Sequence, residues 1–416
     1  MTLQNRSARR TPVSSPPSAG ATFGAAQYSP LRAEVMANPA ISYAALQQTA
    51  PAHLCSSFEP NFYTLSRYDD VRRALLDVDG FSSEHGQGPR YTPPAGMLSD
   101  PPQHTHYRRL VQQAFTPKAI AAMSERVTAL ADELLGGLSA HAQFDLHDDF
   151  AFPLPVIIIA EMLGVPSADL HHFKRWSDAS VAAMGAEDPT PWNDDLAALG
   201  DYLLQHIRNQ RAVQPGAAAN LTQRLVNARV EGQGLTDEEV RGVASQLLVG
   251  GNETTTSLIT NAVWRLLDQP DLWQQLLQKP KLVPVALEES LRFDPPVLGL
   301  YRTARKQIVL HGTTIPAGSK VMLHYAAANR DPNVFANPDQ FKLDRPAKRH
   351  LAFGLGVHFC LGAELARLEA KAALSALLRH FPGLELINAG ERIAPFFLWG
   401  RRHLPVRPGP EPTSLS

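Results

Sequence analysis

The spacing of apolar residues along the chain is helical over most of its length and alternates with the period of a strand only in short stretches. A helix pattern covers residues 69–77, and the pattern from residue 104 to Pro280 is almost wholly helical. Strand patterns are confined to four stretches, at residues 53–58, 61–66, 307–310 and 320–324. The predicted fold class is therefore mainly α with a minor β subdomain.

The longest predicted helix begins at residue 236 and ends before Pro270. Its start reads Thr-Asp-Glu-Glu, which is a capping box, and a helix of this length would measure on the order of 50 Å. Near its centre stand Gly250 and Gly251, and each mid-helix glycine costs about 1 kcal/mol relative to alanine. Threonine hydroxyls just beyond them can compete for helix carbonyls. Such a weak point indicates either a turn widened for a ligand or a glycine pair that lets another helix pack closely.

A second strong helix pattern runs from Leu361 to Leu378, and residues 353–362 before it read Phe-Gly-Leu-Gly-Val-His-Phe-Cys-Leu-Gly. The glycines allow a tight turn and close approach of the backbone to a ligand. Cys360 is predicted to lie at the helix N-terminus, where unpaired N–H groups and the helix dipole lower a thiol pKa and favour the thiolate. This setting suits a metal ligand, and the alternative is an inert buried cysteine.

Composition narrows the class of protein. Hydrophobic residues make up 44% and charged residues 19% of the 416 residues, which is ordinary for a soluble globular protein, and no apolar stretch reaches the length of a membrane span. The formal net charge is −1 without a long basic tract, so nucleic acid binding is not predicted. Cys55 and Cys360 are the two cysteines, which indicates neither a disulfide framework nor a zinc site and favours a cytoplasmic location.

Two regions are predicted along the chain. Residues 1–28 are rich in Ser, Pro, Ala and Arg and lack the apolar core of a signal peptide, so they are predicted to form a disordered extension. The remaining residues, 29–416, are predicted to form one domain, because no shift in composition divides them.

The pattern Phe-x-x-Gly-x-x-x-Cys-x-Gly resembles the haem-binding loop of the cytochrome P-450 monooxygenases, and the order of elements resembles their fold from about residue 30 to the C-terminus. The resemblance implies heme b (iron protoporphyrin IX) between the long central helix and the helix after the cysteine loop. Cys360 would be its axial thiolate ligand, which favours cleavage of the O–O bond. The loop residues implied in cofactor binding are Phe353, Gly354, His358, Cys360 and Gly362.

The centre of the long helix resembles the oxygen-binding stretch of the same family, where a small residue, Gly, any residue, an acid and Thr follow one another. Gly250 and Gly251 would border the cofactor, and Glu253 and Thr254 would be the acid–alcohol pair. A hydroxyl beside a carboxylate can relay protons through water to activated oxygen. Peroxide-driven relatives tend to lack this pair, so it favours oxygen activation with externally supplied electrons.

Two further groups of residues match the family. Glu289 and Arg292 resemble its Glu-x-x-Arg helix, with Arg345 as the third partner of a structural network behind the haem whose net energy desolvation opposes. Haem propionates need cationic or hydrogen-bonding partners. At positions where relatives place such partners stand His104, Arg108, Arg302 and His358.

By resemblance, the substrate would be a small or medium apolar organic molecule, with a lid at residues 185–192 over its pocket. Arg90 near the first loop could meet a carboxylate, but a solvated arginine is the simpler interpretation. The predicted pocket residues are Tyr91, Pro93, Met97, Leu247, Val297, Leu298, Phe396, Phe397 and Trp399.

The chain ends soon after its last helix, so electrons are expected from a separate ferredoxin or flavodoxin-type protein with its NAD(P)H reductase. An acidic ferredoxin would dock on a basic surface. The protein is otherwise expected to be a monomer without membrane contact. The cations predicted to form the docking surface are Arg108, Arg109, Lys348, Arg349 and Arg367.

The leading functional hypothesis is an oxygen-dependent monooxygenase that inserts one oxygen atom into an unactivated C–H bond, or removes an O- or N-alkyl group by the same step. The alternatives are a peroxide-driven peroxygenase, a haem-thiolate isomerase or dehydratase, and a haem sensor without enzymatic activity.

Overall fold

The computed structural model describes residues 23–93, 96–186, 188–213, 220–230, 232–346 and 349–410. Most of the predicted extension lies outside these ranges. Ala25 and Tyr28 are buried in an apolar cluster, and the Tyr28 ring packs edge-on against His53 at 5.6 Å. The packed chain thus begins before residue 29, where the sequence pattern places its boundary.

Helices dominate the described chain and follow the predicted pattern closely. A π-helical turn at His147–Ala151 precedes the helix Pro153–Leu163. Short 3-10 turns lie at Gly96–Leu98, Gln113–Phe115 and Gly356–His358. The α-helices are α1 (Ala33–Ala37), α2 (Tyr43–Thr49), α3 (Tyr68–Leu76), α4 (Gln103–Gln112), α5 (Pro117–Ala122), α6 (Ser124–Gly136), α7 (Pro153–Leu163), α8 (Leu170–Gly185), α9 (Asn193–Ala212), α10 (Leu221–Asn227), α11 (Asp237–Asp268), α12 (Pro270–Gln278), α13 (Val283–Phe293), α14 (Tyr325–Ala328) and α15 (Ala363–His380).

The strands are short and form one mixed sheet and several small antiparallel ones. The mixed sheet has the order β1-β2-β10-β7-β3, in which only β2 and β10 run parallel, and β11-β14-β4 form a second sheet. The pairs β5-β6, β8-β9 and β12-β13 complete the set in the described residues. The strands are β1 (Ala52–Cys55), β2 (Phe62–Leu65), β3 (Phe81–Ser82), β4 (Phe144–Asp145), β5 (Arg229–Val230), β6 (Gln233–Gly234), β7 (Leu300–Ala304), β8 (Ile308–Leu310), β9 (Thr313–Ile315), β10 (Lys320–Leu323), β11 (Leu384–Leu386), β12 (Glu391–Arg392), β13 (Arg401–His403) and β14 (Pro405–Pro408).

The four predicted strand regions are confirmed as β1, β2, β8 and β10, and the strands of the last residues were not predicted. Two-residue strands such as β4 and β12 carry too few positions to show an alternating pattern. None of the helices in the described ranges is long and apolar enough to span a membrane.

The central helix α11 has the predicted cap and the predicted length. The Glu239 N–H donates to Thr236 Oγ1 (3.2 Å) and the Thr236 N–H donates to Glu239 Oε2 (2.8 Å), so both halves of the capping box form. The helix continues for 32 residues and packs against α7, α8, α9, α13 and α15. It therefore forms the centre of the helical core.

The glycine pair in α11 does not break the helix. The Thr254 hydroxyl donates to the carbonyl of Gly250 (2.6 Å), as expected for threonine competing for a helix carbonyl. No described atom lies within 4 Å of the point where a Cβ would stand on Gly250 or Gly251. The interpretation that the pair lets another helix pack closely is therefore wrong, and the predicted widened turn is instead a continuous α-helix beside open space.

Candidate active site

The loop before α15 places Cys360 by means of two strained turns. Gly354 and Gly356 have φ values of 66° and 71°, and a Cβ on Gly356 would lie 2.9 Å from the Leu75 carbonyl oxygen. Both positions therefore require glycine. The Cys360 N–H donates to the Phe353 carbonyl (2.9 Å), which closes the loop. The Cys360 side chain is exposed, whereas Cys55 is buried.

Cys360 precedes α15 rather than beginning it, because the helix starts at Ala363 with Gly362 as its N-cap. Cys360 keeps solvent-accessible surface, but the protein atoms packed around its sulfur still desolvate the thiolate and raise the thiol pKa, while the Gly362 N–H, Arg108 and Arg367 lower it. The Gly362 N–H at the start of α15 acts in the predicted direction, but the net direction of the pKa shift is upward. Desolvation of the thiolate outweighs the helix amide and the two cations.

The four predicted propionate partners come together from three separate parts of the chain, namely α4, β7 and the cysteine loop. The rings of His104 and His358 lie 4.3 Å apart between centroids, and His104 Nδ1 and His358 Nε2 are buried without a hydrogen-bond partner. Burial, His358 and Arg108 lower the pKa of His104 to about 4, so this imidazole is neutral near pH 7. Arg302 is buried and lowers the pKa of His358 together with Arg108, although burial is the larger cause.

These residues fit a haem. Arg108 and Arg302 form no ion pair with a carboxylate within the described ranges, although Arg302 donates to the Tyr301 carbonyl (2.8 Å). Two guanidinium groups and two orphaned imidazole nitrogens would be satisfied by two carboxylates of a ligand. No described atom lies within 4 Å of a Cβ position on Gly362, as on the two glycines of α11. Apart from their own helix backbone and chain neighbours, these three glycines thus face open space on the side where a Cβ would stand.

Asp100 belongs to this region, and the sequence analysis missed it. It accepts hydrogen bonds from Ser82 Oγ (2.5 Å), the Ser83 N–H (2.9 Å) and Arg305 Nη2 (2.5 Å), and it lies 3.8 Å from His358 Nε2. Although burial raises the pKa of Asp100, His358 and these donors lower it well below its usual range. The only local signal was its place at the end of the long Gly- and Pro-rich loop.

The acid of the predicted acid–alcohol pair, Glu253, lies inside the protein. Glu253 is buried, and its Oε1 accepts from Ser257 Oγ (3.3 Å). Burial, followed by the negative charge of Asp178, raises the pKa of Glu253 to about 7, against the opposing effects of Ser257, Arg402 and Lys174. A carboxyl with this pKa exchanges its proton near neutral pH, as a general acid requires.

The Glu-x-x-Arg helix lies in a buried network. Arg292 Nε and Nη2 each donate to one oxygen of Glu289 at 2.8 Å, and both side chains are fully buried. Arg345 Nε donates to Glu289 Oε1 (3.1 Å), and the Lys342 N–H donates to the same oxygen (3.0 Å). Further Arg292 donors reach the carbonyls of Asn329, Pro338 and Gln340.

The predicted pocket residues do not form one lining. Tyr91 is exposed and donates to the Gly318 carbonyl (2.7 Å). Met97 packs on the core cluster that contains Leu247, and its N–H donates to Gln246 on α11 (3.3 Å). Pro93 is exposed. The remaining residues lie in a second apolar cluster, against which Val297 packs and which contains Leu298, Phe396, Phe397 and Trp399 as buried members.

Leu298 and Phe396 border a cavity of about 10 Å³ with Tyr28, which could hold a water molecule and no substrate. The four buried side chains, Leu298, Phe396, Phe397 and Trp399, are therefore part of the hydrophobic core. They bring the C-terminal turn onto the mixed sheet, because Phe396 stacks on Phe62 at 6.4 Å and Tyr301 contacts Phe397. Burial could not be predicted for them from short apolar runs.

The predicted lid begins at Gly185, the last residue of α8, and its residue Glu187 lies outside the described residues. A Cβ on Gly185 would lie 2.8 Å from Pro395, so this end of α8 rests on the C-terminal turn. Arg90 donates to the Ala186 carbonyl and lies 5.2 Å from the Phe58 ring, so it is not a solvated side chain as the sequence suggested.

The predicted docking cations differ in how exposed they are and in whether they form ion pairs. Arg109 and Arg349 are exposed and Arg108 is partly buried, while Lys348 lies outside the described residues. Arg367 is paired with Glu288 at 2.6 Å and with Glu364 at 3.0 Å, so it is largely neutralised as a docking charge.

Comparison with known proteins agrees with this arrangement. The family model described as Cytochrome P450 matches residues 192–389. "Cytochrome P450 109" of Bacillus spizizenii is 41% identical over 353 residues, 82% of this chain and 85% of the relative. "Vitamin D(3) 25-hydroxylase" of Pseudonocardia autotrophica is 35% identical over 403 residues, 94% of this chain and 98% of the relative.

Among solved structures, CYP109E1 from Bacillus megaterium in complex with testosterone superimposes with a TM-score of 0.79 at 34% identity, over 90% of this chain and 100% of that chain. Identity above 30% over most of both chains is enough to establish the family, and relatives in it are named as hydroxylases and epoxidases. The chain therefore belongs to the cytochrome P450 family and is a cytochrome P450 monooxygenase.

Proposed function

We propose that this P450 uses O2 and two electrons from a separate donor protein to hydroxylate, or to O- or N-dealkylate, an apolar organic substrate. The observation that carries this proposal is the accessible Cys360 in a glycine loop. Beside it lie two guanidinium groups without a carboxylate ion pair in the described ranges and two buried imidazole nitrogens without a hydrogen-bond partner. The names of two relatives, which refer to vitamin D(3) and to testosterone, favour a medium-sized polycyclic substrate.

Heme b is the cofactor in this proposal, and when bound it supplies the activation of O2. Cys360 would be its axial ligand, and Arg108 and Arg302 would neutralise its propionates with hydrogen bonds from His104 and His358. Gly250, Gly251 and Gly362 leave room for the porphyrin. Phe353 and Gly354 would shape the loop below it.

Protons for the reaction would pass through Glu253 and Thr254. The Thr254 hydroxyl donates its own proton to the Gly250 carbonyl (2.6 Å), so its oxygen remains able to accept a hydrogen bond from water. Glu253, with a pKa of about 7, would supply the proton and recover it from solvent on the side of the partly exposed ion-pair cluster of Lys174, Asp178 and Arg402.

Thr254→Ala is expected to uncouple reductant consumption from product formation, because the hydroxyl that hands protons to activated oxygen is lost. Product per reductant oxidised should fall about tenfold or more, with peroxide released, since general acid catalysis contributes on the order of 10²–10⁴-fold. The measurement is the ratio of product to NAD(P)H together with a peroxide assay.

In the wild-type protein, product per reductant should also fall as pH rises through 7, because Glu253 is then deprotonated.

Thr254→Ser keeps the hydroxyl and should retain coupling. Thr256→Ala is the matched control, because Thr256 lies in the same helix but its hydroxyl donates to the Ala151 carbonyl at 3.2 Å. Equal coupling in wild type and Thr254→Ala would argue against the relay.

Reconstitution tests the function itself. The haem-loaded protein would be combined with a ferredoxin, its reductase, NAD(P)H and labelled O2, and apolar compounds would first be screened for a spin-state shift. A product carrying one labelled oxygen supports the proposal. Turnover with peroxide but none with reductant and O2 would establish a peroxygenase instead, and a product without added oxygen an isomerase or dehydratase.

The donor is proposed to be an acidic ferredoxin that docks on the exposed Val357 and Phe359 of the cysteine loop, with the exposed Arg109 and Arg349 as its candidate charge partners. An apolar centre with a charged rim is typical of protein interfaces. The rate of reduction by ferredoxin should fall severalfold between about 0.1 and 1 M salt, as the Debye length shortens from about 10 to 3 Å. Stopped-flow reduction measures this rate.

Arg109→Gln should weaken the salt dependence, while Arg175→Gln on the exposed face of α8 should leave it unchanged. A rate that is independent of salt would exclude an electrostatic docking site.

A further inference from the structure

A network of charged side chains joins α13 and α15 to the start of the cysteine loop. Arg367 donates to Glu288 through Nε (2.6 Å) and Nη2 (3.2 Å), and His350 Nε2 lies 3.1 Å from Glu288 Oε2. The Ala352 N–H donates to His350 Nδ1 (3.3 Å), so Nε2 carries the proton and donates to Glu288. Glu288 therefore accepts hydrogen bonds from both Arg367 and His350, and Arg367 is the guanidinium that faces it.

The guanidinium of Arg367 also lies against the cysteine loop. Its Cζ is 4.6 Å from the centre of the Phe353 ring, and the carbonyl of Phe353 accepts the N–H of Cys360 (2.9 Å). His350 approaches the same ring at 6.0 Å between centroids. The Arg367 side chain is only 30% exposed, so solvent screens its charge less than that of a free surface arginine.

A docking role does not account for this geometry. A side chain held by two carboxylates and stacked on an aromatic ring offers little charge to a partner protein. The same contacts hold a positive charge at a fixed distance behind the residue that would ligate iron. Its electrostatic effect on Cys360 has the sign expected of a nearby cation.

We propose that Arg367, fixed by Glu288, is a positioning residue that raises the reduction potential of the haem iron by holding its charge against the Phe353 ring. The inference rests on the proposed ligation by Cys360. A cation beside the ligand favours the ferrous state, which carries one positive charge less than the ferric state. Glu288 has the opposite effect, and the closer charge to the loop prevails.

The test is the midpoint potential of the haem-loaded protein, measured by spectroelectrochemical titration in four variants. Arg367→Gln leaves Glu288 uncompensated, so the potential should become more negative. Glu288→Gln leaves Arg367 paired only with the exposed Glu364, so the potential should become more positive. We expect about a tenfold change in the ferric–ferrous equilibrium in each case, which is about 59 mV for one electron. Arg367→Lys keeps the charge and should recover most of the potential.

Opposite shifts distinguish charge from structure, because a purely structural defect would move both variants in the same direction. Arg379→Gln is the control, since Arg379 also lies on α15 in an ion pair, with Asp132 at 2.7 Å, and its side chain is 52% exposed. It should leave the potential unchanged. If Arg367→Gln fails to retain haem, the other two variants still test the direction of the shift in potential: Glu288→Gln should raise it, and Arg367→Lys should leave it close to that of wild type.

Unchanged potentials, or shifts of the same sign, in variants whose ferrous carbon-monoxide complex keeps its red-shifted absorbance would overturn the inference. A wild-type protein without that absorbance would instead overturn the ligation by Cys360. The two failures are therefore distinguishable in one set of samples.

Discussion

Replacement of Cys360 by histidine is expected to abolish the red-shifted absorbance of the ferrous carbon-monoxide complex and to eliminate monooxygenase turnover. An imidazole is neutral and donates less electron density to iron than a thiolate, so it does not favour cleavage of the O–O bond. The positive φ values of Gly354 and Gly356 hold the loop in place whichever residue follows, so the variant should still fold. Absorbance spectra of the reduced protein with carbon monoxide measure the effect directly.

Cys55→Ala is the control for this experiment. Cys55 is the other cysteine, and its thiol is buried against Thr64 with a pKa that burial raises to about 12. This variant should keep the red-shifted absorbance. A Cys360→His protein with the same absorbance as wild type would exclude Cys360 as the ligand.

Arg292→Ala is expected to lower the free energy of unfolding by about 3–5 kcal/mol, because it leaves Glu289 charged and fully buried without its bidentate partner. Natural domains are stable by only about 5–15 kcal/mol, so a large share of the stability would be lost. The three carbonyls that Arg292 now satisfies would also lose their donor. Urea unfolding of the haem-loaded protein measures the change.

Arg126→Ala supplies the matched comparison. Arg126 makes an equally bidentate pair with Glu161, through Nε to Oε2 (3.2 Å) and Nη2 to Oε1 (2.6 Å), but both side chains are about half exposed. Its loss should cost less than about 1 kcal/mol. Similar costs for the two variants would contradict the role assigned to burial.

The parts of the fold that the sequence predicted correctly depend on residues close together in the chain. The capping box of α11 involves positions three apart, and the turns before Cys360 follow from glycines within ten residues. The Glu289–Arg292 pair likewise spans one helical turn. Local periodicity and turn chemistry determine such features, so a single sequence contains them.

The features that the sequence did not predict arise from packing between distant segments. Asp100 becomes part of the site through its contacts with Ser82, Arg305 and His358, which come from three other parts of the chain. Arg367 has the residue type of a docking cation, and only the approach of α13 turns it into a partner of Glu288. Burial of the C-terminal aromatic residues likewise depends on the mixed sheet, which no local pattern describes.

The parallel pairing of β2 with β10 determines when this protein can complete its mixed sheet during synthesis. Phe62–Leu65 is made early, whereas Lys320–Leu323 leaves the ribosome after more than half of the chain has followed it. At about 5–20 residues per second, the interval is on the order of tens of seconds. The β1–β2 hairpin meanwhile presents an unpaired edge, which is a site for aggregation. Chaperones that cover this hairpin until β10 is made should therefore improve the yield of folded protein, and slower translation should reduce it.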